Sequence, residues 1–190
     1  MKIQKDNLTT RQKRNAYLGI IFLSILLFSF FYYKSYLNNN KKELLSKNTE
    51  ITFCKIIGSN THKTLQNHLE YNVGGKNYEI RPLSPRIFKI GEFYEIKYSK
   101  SNPEISEVNY TKPIIFNKND FEFTSGIITK TFEKESLSVL KFTYNHQNEN
   151  YERDVILEKI GELRKGKQIE ILVNKKKPEI SYLAEQFKVE

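Results

Sequence analysis

Gly91 to Ser106 reads GEFYEIKYSKSNPEIS, and Gly166 to Ser181 reads GKQIEILVNKKKPEIS. Without a gap, the two stretches agree at Gly91/Gly166, Glu95/Glu170, Ile96/Ile171, Lys100/Lys175, Pro103/Pro178, Glu104/Glu179, Ile105/Ile180 and Ser106/Ser181. The only glycine and the only proline of each stretch fall at the same spacing. An internal repeat is read first, because it sets the number of structural units. The chain is therefore read as two copies of one small domain.

Working outward, each copy is a series of short alternating runs. Leu69, Tyr71 and Val73 alternate, Gly74-Gly75 turns the chain, and Tyr78 and Ile80 alternate again, which is a hairpin signature because glycine supplies the positive φ the turn needs. Arg81 to Pro85 breaks the pattern with two prolines, which lack a ladder donor. Tyr94, Ile96 and Tyr98 then share one face of a strand, and Phe93, Glu95 and Lys97 the other. In copy two, Ile169, Ile171 and Val173 fall where Tyr94, Ile96 and Tyr98 fell. Leu140, Phe142 and Tyr144 are matched to Leu69, Tyr71 and Val73, with Asn145 to Asn150 replacing the Gly-Gly turn by a loop two residues longer than Gly74 to Asn77. Leu157 to Leu163 has room for one helical turn. The expected fold is all-β: two tandem five-stranded half-open barrels or sheets, residues 50–108 and 121–183, with a linker at 109–120 and a tail at 184–190. At about 60 residues each, the copies are near the lower limit for an independent core, so they are expected to pack together.

Upstream, Ala16 to Tyr33 (AYLGIIFLSILLFSFFYY) carries no charge and is dominated by Ile, Leu and Phe. As a helix, those residues cover about 27 Å, close to the thickness of a bilayer core. Tyr17 at one end and Tyr32, Tyr33 and Tyr36 at the other suit an aromatic belt. A cleaved signal peptide would have a shorter apolar run followed by small residues; here Lys34, Ser35, Tyr36 and Leu37 follow. Residues 16–37 are therefore read as an uncleaved transmembrane signal anchor in the plasma membrane. Lys2, Lys5, Arg11, Lys13 and Arg14 in the leader 1–15 favour a cytoplasmic N-terminus, with 38–49 a polar tether to extracytoplasmic domains.

Charge is distributed to match. Residues 1–49 hold nine Lys/Arg against two acids, and residues 50–190 hold 22 against 20, so the net charge of +9 belongs mainly to the anchor. That argues against a nucleic-acid partner. The single cysteine, Cys54, excludes a disulfide framework, and in its strand-like context reads as a small buried hydrophobe.

Tyr71-x-Val73-x-Gly75-Lys76-x-Tyr78, followed by Gly91, Ile96-x-Tyr98 and Asn102-Pro103, resembles a bacterial family of small β-domains, to which no activity is assigned, that commonly follow transmembrane segments. The resemblance covers copy one and implies an all-β domain. Copy two departs from the motif at the positions of Gly75, Lys76 and Tyr98, the last being Val173. No catalytic residue is carried over.

Chemistry is sparse. His62, His68 and His146 lack metal-binding spacing and read as solvated loop residues, and no cofactor or small-molecule substrate is indicated. Glu95 and Glu170 recur mid-strand opposite the apolar face, as solvated or cross-strand-paired residues. Arg164, Lys165 and Lys167 lie at one end of a copy-two strand and Lys175, Lys176 and Lys177 at the other, as candidate contacts for anionic lipid or cell-wall polymer. The expected function is a non-catalytic, membrane-anchored interaction module whose partner is another membrane or envelope protein. The rival is an envelope hydrolase in which Glu95 and Glu170 meet in the fold.

Overall fold

A computed structural model describes residues 9–134 and 137–187. Lys2 and Lys5 of the basic leader and Lys188 to Glu190 of the tail lie outside the described residues. The chain divides into two units, the first ending at Lys47 and the second beginning at Asn48.

The first unit is one helix, α1 (Thr10–Leu44). Thr9 caps it: its side chain accepts from the Gln12 amide, while the Gln12 side chain accepts from the Thr9 amide at 2.8 Å. That reciprocal pairing satisfies two amides that a helix start leaves open. Among the described residues, α1 is the one helix long and apolar enough to cross a membrane. It runs on through Asn38 to Leu44, the first part of the stretch 38–49 expected as a polar tether. Lys41 and Lys42 in the last turn suit the negative end of the helix dipole, and Glu43 pairs with Lys47 at 2.7 Å.

The second unit is mostly β, with two five-stranded antiparallel sheets, one curled into a half-barrel. The first holds β1 (Thr49–Asn60), β2 (Gln66–Val73), β3 (Lys76–Ile80), β4 (Phe93–Ser99) and β5 (Ser106–Pro113) in the order β3-β2-β1-β4-β5. The second holds β6 (Phe121–Lys134), β7 (Leu137–His146), β8 (Glu149–Leu157), β9 (Gln168–Asn174) and β10 (Ser181–Leu183). Its order, β8-β7-β6-β9-β10, is that of the first sheet repeated.

The repeat extends to single hydrogen bonds. The Gly91 amide donates to Ile56 O at 2.8 Å, and the Gly166 amide to Ile128 O at 2.8 Å. Both glycines have positive φ, 98° and 85°, a conformation costly to any residue with a Cβ, which is why glycine recurs there. Beyond each of these contacts the first strand of the copy bulges, between Ile56 and Gly58 and between Ile128 and Lys130. The Tyr71 hydroxyl donates to Pro103 O and the Tyr144 hydroxyl to Pro178 O. Tyr71 stacks on Tyr78 and Tyr144 on Tyr151, at 5.7 and 5.5 Å. Tyr94/Ile169, Ile96/Ile171 and Tyr98/Val173 are all buried, as the shared pattern requires.

Two local expectations are corrected. Tyr71 corresponds to Tyr144 and Leu69 to Phe142, a shift of two residues from the match made on sequence. The copy-two hairpin loop is therefore no longer than Gly74-Gly75: it is Gln147-Asn148, with φ of 51° and 64°. Two non-glycine residues adopt the left-handed turn, so the glycine signal was absent although the geometry was not. The second correction is that residues 158–164 form no helix; Gly161 at φ 58° turns the chain left-handed, with Leu163 N donating to Ile160 O at 3.2 Å.

Replacing Gln147 with glycine relieves a left-handed penalty while adding unfolded-state entropy. Gln147→Gly is expected to stabilise the protein by about 0.5–1 kcal/mol, read as a higher urea midpoint of the full chain in detergent. An unchanged or lower midpoint would contradict the turn assignment.

Candidate functional site

The two copies meet at a buried ion pair. Glu92 follows the Gly91 turn and enters β4, while Arg153 lies on β8; they are 1% and 3% exposed. Arg153 Nη2 donates to Glu92 Oε2 at 2.5 Å. The Lys89 amide donates to Glu92 Oε1 at 2.6 Å, and the Tyr94 hydroxyl to Oε2. Arg153 Nε donates to Ser181 O at 3.2 Å, and the guanidinium lies 5.8 Å from the Phe88 ring centre. Each charge is thus paired and further hydrogen-bonded, the condition under which charge is tolerated away from water. Burial works against the charged guanidinium, but Glu92 more than offsets it, and the pKa of Arg153 rises. Burial, then the charge of Glu92, pushes the Tyr94 and Tyr182 phenols well above their ordinary range.

Around this pair the copies interlock. Ile156 of β8 is counted in the copy-one core, with Phe88, Tyr94 and Ile96. Arg86 Nε lies 3.0 Å from Asp154 Oδ2, an ion pair without hydrogen-bond geometry, and the Gln186 side chain donates to Thr111 O at 3.2 Å. Sequence reasoning missed Glu92 and Arg153. A charged residue at an inward strand position, Arg153 two residues after Tyr151 and two before Val155, was the available signal.

The basic residues separate as their positions predict. Arg164, Lys165 and Lys167 are exposed around the Gly166 turn, and Lys175 to Lys177 lie beyond the other end of β9. Lys175 Nζ donates to Asn119 O at 2.8 Å, and Lys177 Nζ reaches Ile90 O at 3.5 Å. These two side chains therefore tie the turn to neighbouring segments. Glu95 lies on the outer face of β4, 3.7 Å from Lys112, and Glu170 on the outer face of β9 in the other sheet.

Two of the three histidines depart from expectation. His62 is exposed, but His68 is half-buried within β2, paired with Gly58 of β1. His146, the last residue of β7, is 6% exposed, with Nδ1 3.2 Å from Glu122 Oε1. The matched hairpin is tighter than the expected loop, which draws His146 into the ladder opposite Glu149. Cys54 is buried, its thiol 3.5 Å from Tyr94 O and pushed up to about 12 by burial.

The outer sheet faces also carry large apolar side chains. Cys54 and Ile56 are the inward residues of β1, so Ile51 and Phe53 point out, 64% and 45% exposed. Phe53, Phe93 and Phe116 form a three-ring cluster, with centroids 4.8 to 6.2 Å apart. On the second sheet Phe123 is 67% exposed beside a cleft of about 230 Å³ lined by Phe121, Leu172, Lys118 and Phe187.

Glu92→Gln leaves Arg153 charged and buried without its counter-ion, and is expected to cost about 3–5 kcal/mol, whereas Glu92→Met with Arg153→Met is expected to stay near wild type or exceed it. Urea midpoints of the full chain in detergent decide this; a double variant as unstable as the single would show that the charge pair is not the source of the cost. Because the folded-state pKa values of Tyr94 and Tyr182 are raised, their contribution is intact below the unfolded value of about 10 and is lost as pH rises above it. Phenolate absorbance is therefore expected to show these two ionising together with alkaline unfolding; smooth titration of both in the folded protein would refute their burial.

No protein-family model matches the chain, and no curated protein or solved structure matches it either.

Proposed function

We propose that this chain is a membrane-anchored interaction module, non-catalytic, with its N-terminus in the cytoplasm and its β-unit outside it, acting on another protein of the membrane or envelope. The observation that carries this reading is the placement of apolar side chains on the outer faces of the β-unit: Ile51, Phe53, Phe116, Phe123 and Ile127 are each 45% exposed or more. Contiguous exposed apolar surface marks interaction sites. The strongest polar constellation, by contrast, is turned inward and spent on joining the copies. Catalysis calls for polar groups converging on a space a substrate can enter. The five basic residues of the leader favour retention of the N-terminus in the cytoplasm.

Alkaline phosphatase fused after Glu190 is expected to be active, and a cytoplasmic reporter at the same place silent; the reverse would overturn the orientation. In-cell crosslinking of the full chain is expected to give a discrete protein adduct that weakens when Phe53 and Phe116 are replaced by serine. Hydrolysis of an envelope substrate, abolished by Glu95→Gln or Glu170→Gln in a folded protein, would overturn the non-catalytic reading.

A further inference from the structure

The two copies share one register, so the surface that copy two uses to receive copy one has a counterpart on copy one. In copy two, Phe142 pairs with Arg153 and Val139 with Ile156. In copy one, Leu69 pairs with Ile80, and Gln66 bridges Leu83. Ile80 therefore stands where Arg153 stands, Arg81 where Asp154 stands, and Leu83 where Ile156 stands. The covered face has Ile156 at 7% exposure within the cluster that holds Phe88, and Asp154 met by Arg86. On the counterpart face Leu83 is 69% exposed, and Arg81 is exposed and forms no ion pair with a described residue.

We infer that the Arg81–Leu83 face is a docking surface for an extended segment of a partner protein that carries a carboxylate and, two residues on, an aromatic side chain. The internal joint supplies the template. There, Arg86 meets Asp154, and Phe88, two residues on, shares one buried cluster with Ile156. On the counterpart face the acid is replaced by Arg81 and the isoleucine by Leu83, so the complementary segment has the charge at its first position reversed and the aromatic residue kept. A second copy of this chain is the poorer fit. At the positions of Arg86 and Glu92 its copy two offers Gly161 and Lys167, bringing no carboxylate at the first and a lysine to Ile80. This inference rests on the reading of the β-unit as an interaction module, and it names a surface distinct from the Phe53 and Phe123 faces.

The test uses the full chain in detergent micelles with benzoylphenylalanine in place of Leu83, or in place of the exposed Pro85 should the first variant fold poorly. The probes are two synthetic peptides: the sequence of residues 85–91 unchanged, and the same sequence with Arg86→Glu. Irradiation is expected to give about fivefold more adduct with the glutamate peptide, the scale of a surface ion pair, and Arg81→Glu in the chain is expected to reverse the preference. Benzoylphenylalanine in place of the exposed Glu162, which belongs to neither proposed surface, sets the background. Adducts at background level, or equal labelling by both peptides, would overturn the inference while leaving the in-cell test of the module untouched. Chain-to-chain adducts through residue 83 without peptide would assign the face to a second copy, and would also overturn it.

Discussion

Glu92 and Arg153 bring opposite charges from different copies into a space sealed from water, and most of what distinguishes this molecule from two tethered domains depends on that contact. A carboxylate there alone, or a guanidinium alone, would carry a desolvation penalty of several kcal/mol. Together, with the Lys89 amide, the Tyr94 hydroxyl and Ser181 O completing their shells, they are tolerated only in one relative placement of the copies. Apolar burial of Ile156 in the copy-one core supplies attraction but little direction. The ion pair supplies the direction.

The same contact explains how a repeat becomes asymmetric. Gly91 and Gly166, Tyr71 and Tyr144, and Pro103 and Pro178 hold equivalent places because each copy solves the same local problem of turn and core. Glu92 and Arg153 serve the joint, which each copy enters from a different side. Their counterparts, Lys167 and Ile80, are accordingly free of that constraint: one is exposed, and the other packs with its own copy's core. Departures from the repeat therefore mark the joint, just as agreements mark the fold.

Polar and apolar surface are distributed against first expectation. The β-unit buries a full ion pair yet exposes Phe53, Phe116 and Phe123. A sheet with one face on a core ordinarily turns polar side chains to water. Here β1 and β6 carry apolar residues on both faces, so alternation alone overestimates the core and underestimates the surface available for binding. The helix α1 is apolar for a different reason, since its length and composition suit a bilayer rather than a protein interior.

Sequence by itself determined the elements whose cause is local. The charge-free span made α1, the glycine and proline spacing made the two copies, and the period of two placed Tyr94, Ile96, Ile169 and Ile171 inward, because each follows from what a few neighbouring residues permit. It did not determine the hairpin register of copy two, where Gln147 and Asn148 take a glycine conformation without glycine. The burial of His146, the outward turn of Phe53 and Phe123, and the Glu92–Arg153 joint were likewise decided only by tertiary structure. Each depends on which strand lies alongside or which copy lies opposite. The inward place of Arg153 between Tyr151 and Val155 marks one charge, but nothing local names its partner so far away in the chain, and only their meeting makes burial possible.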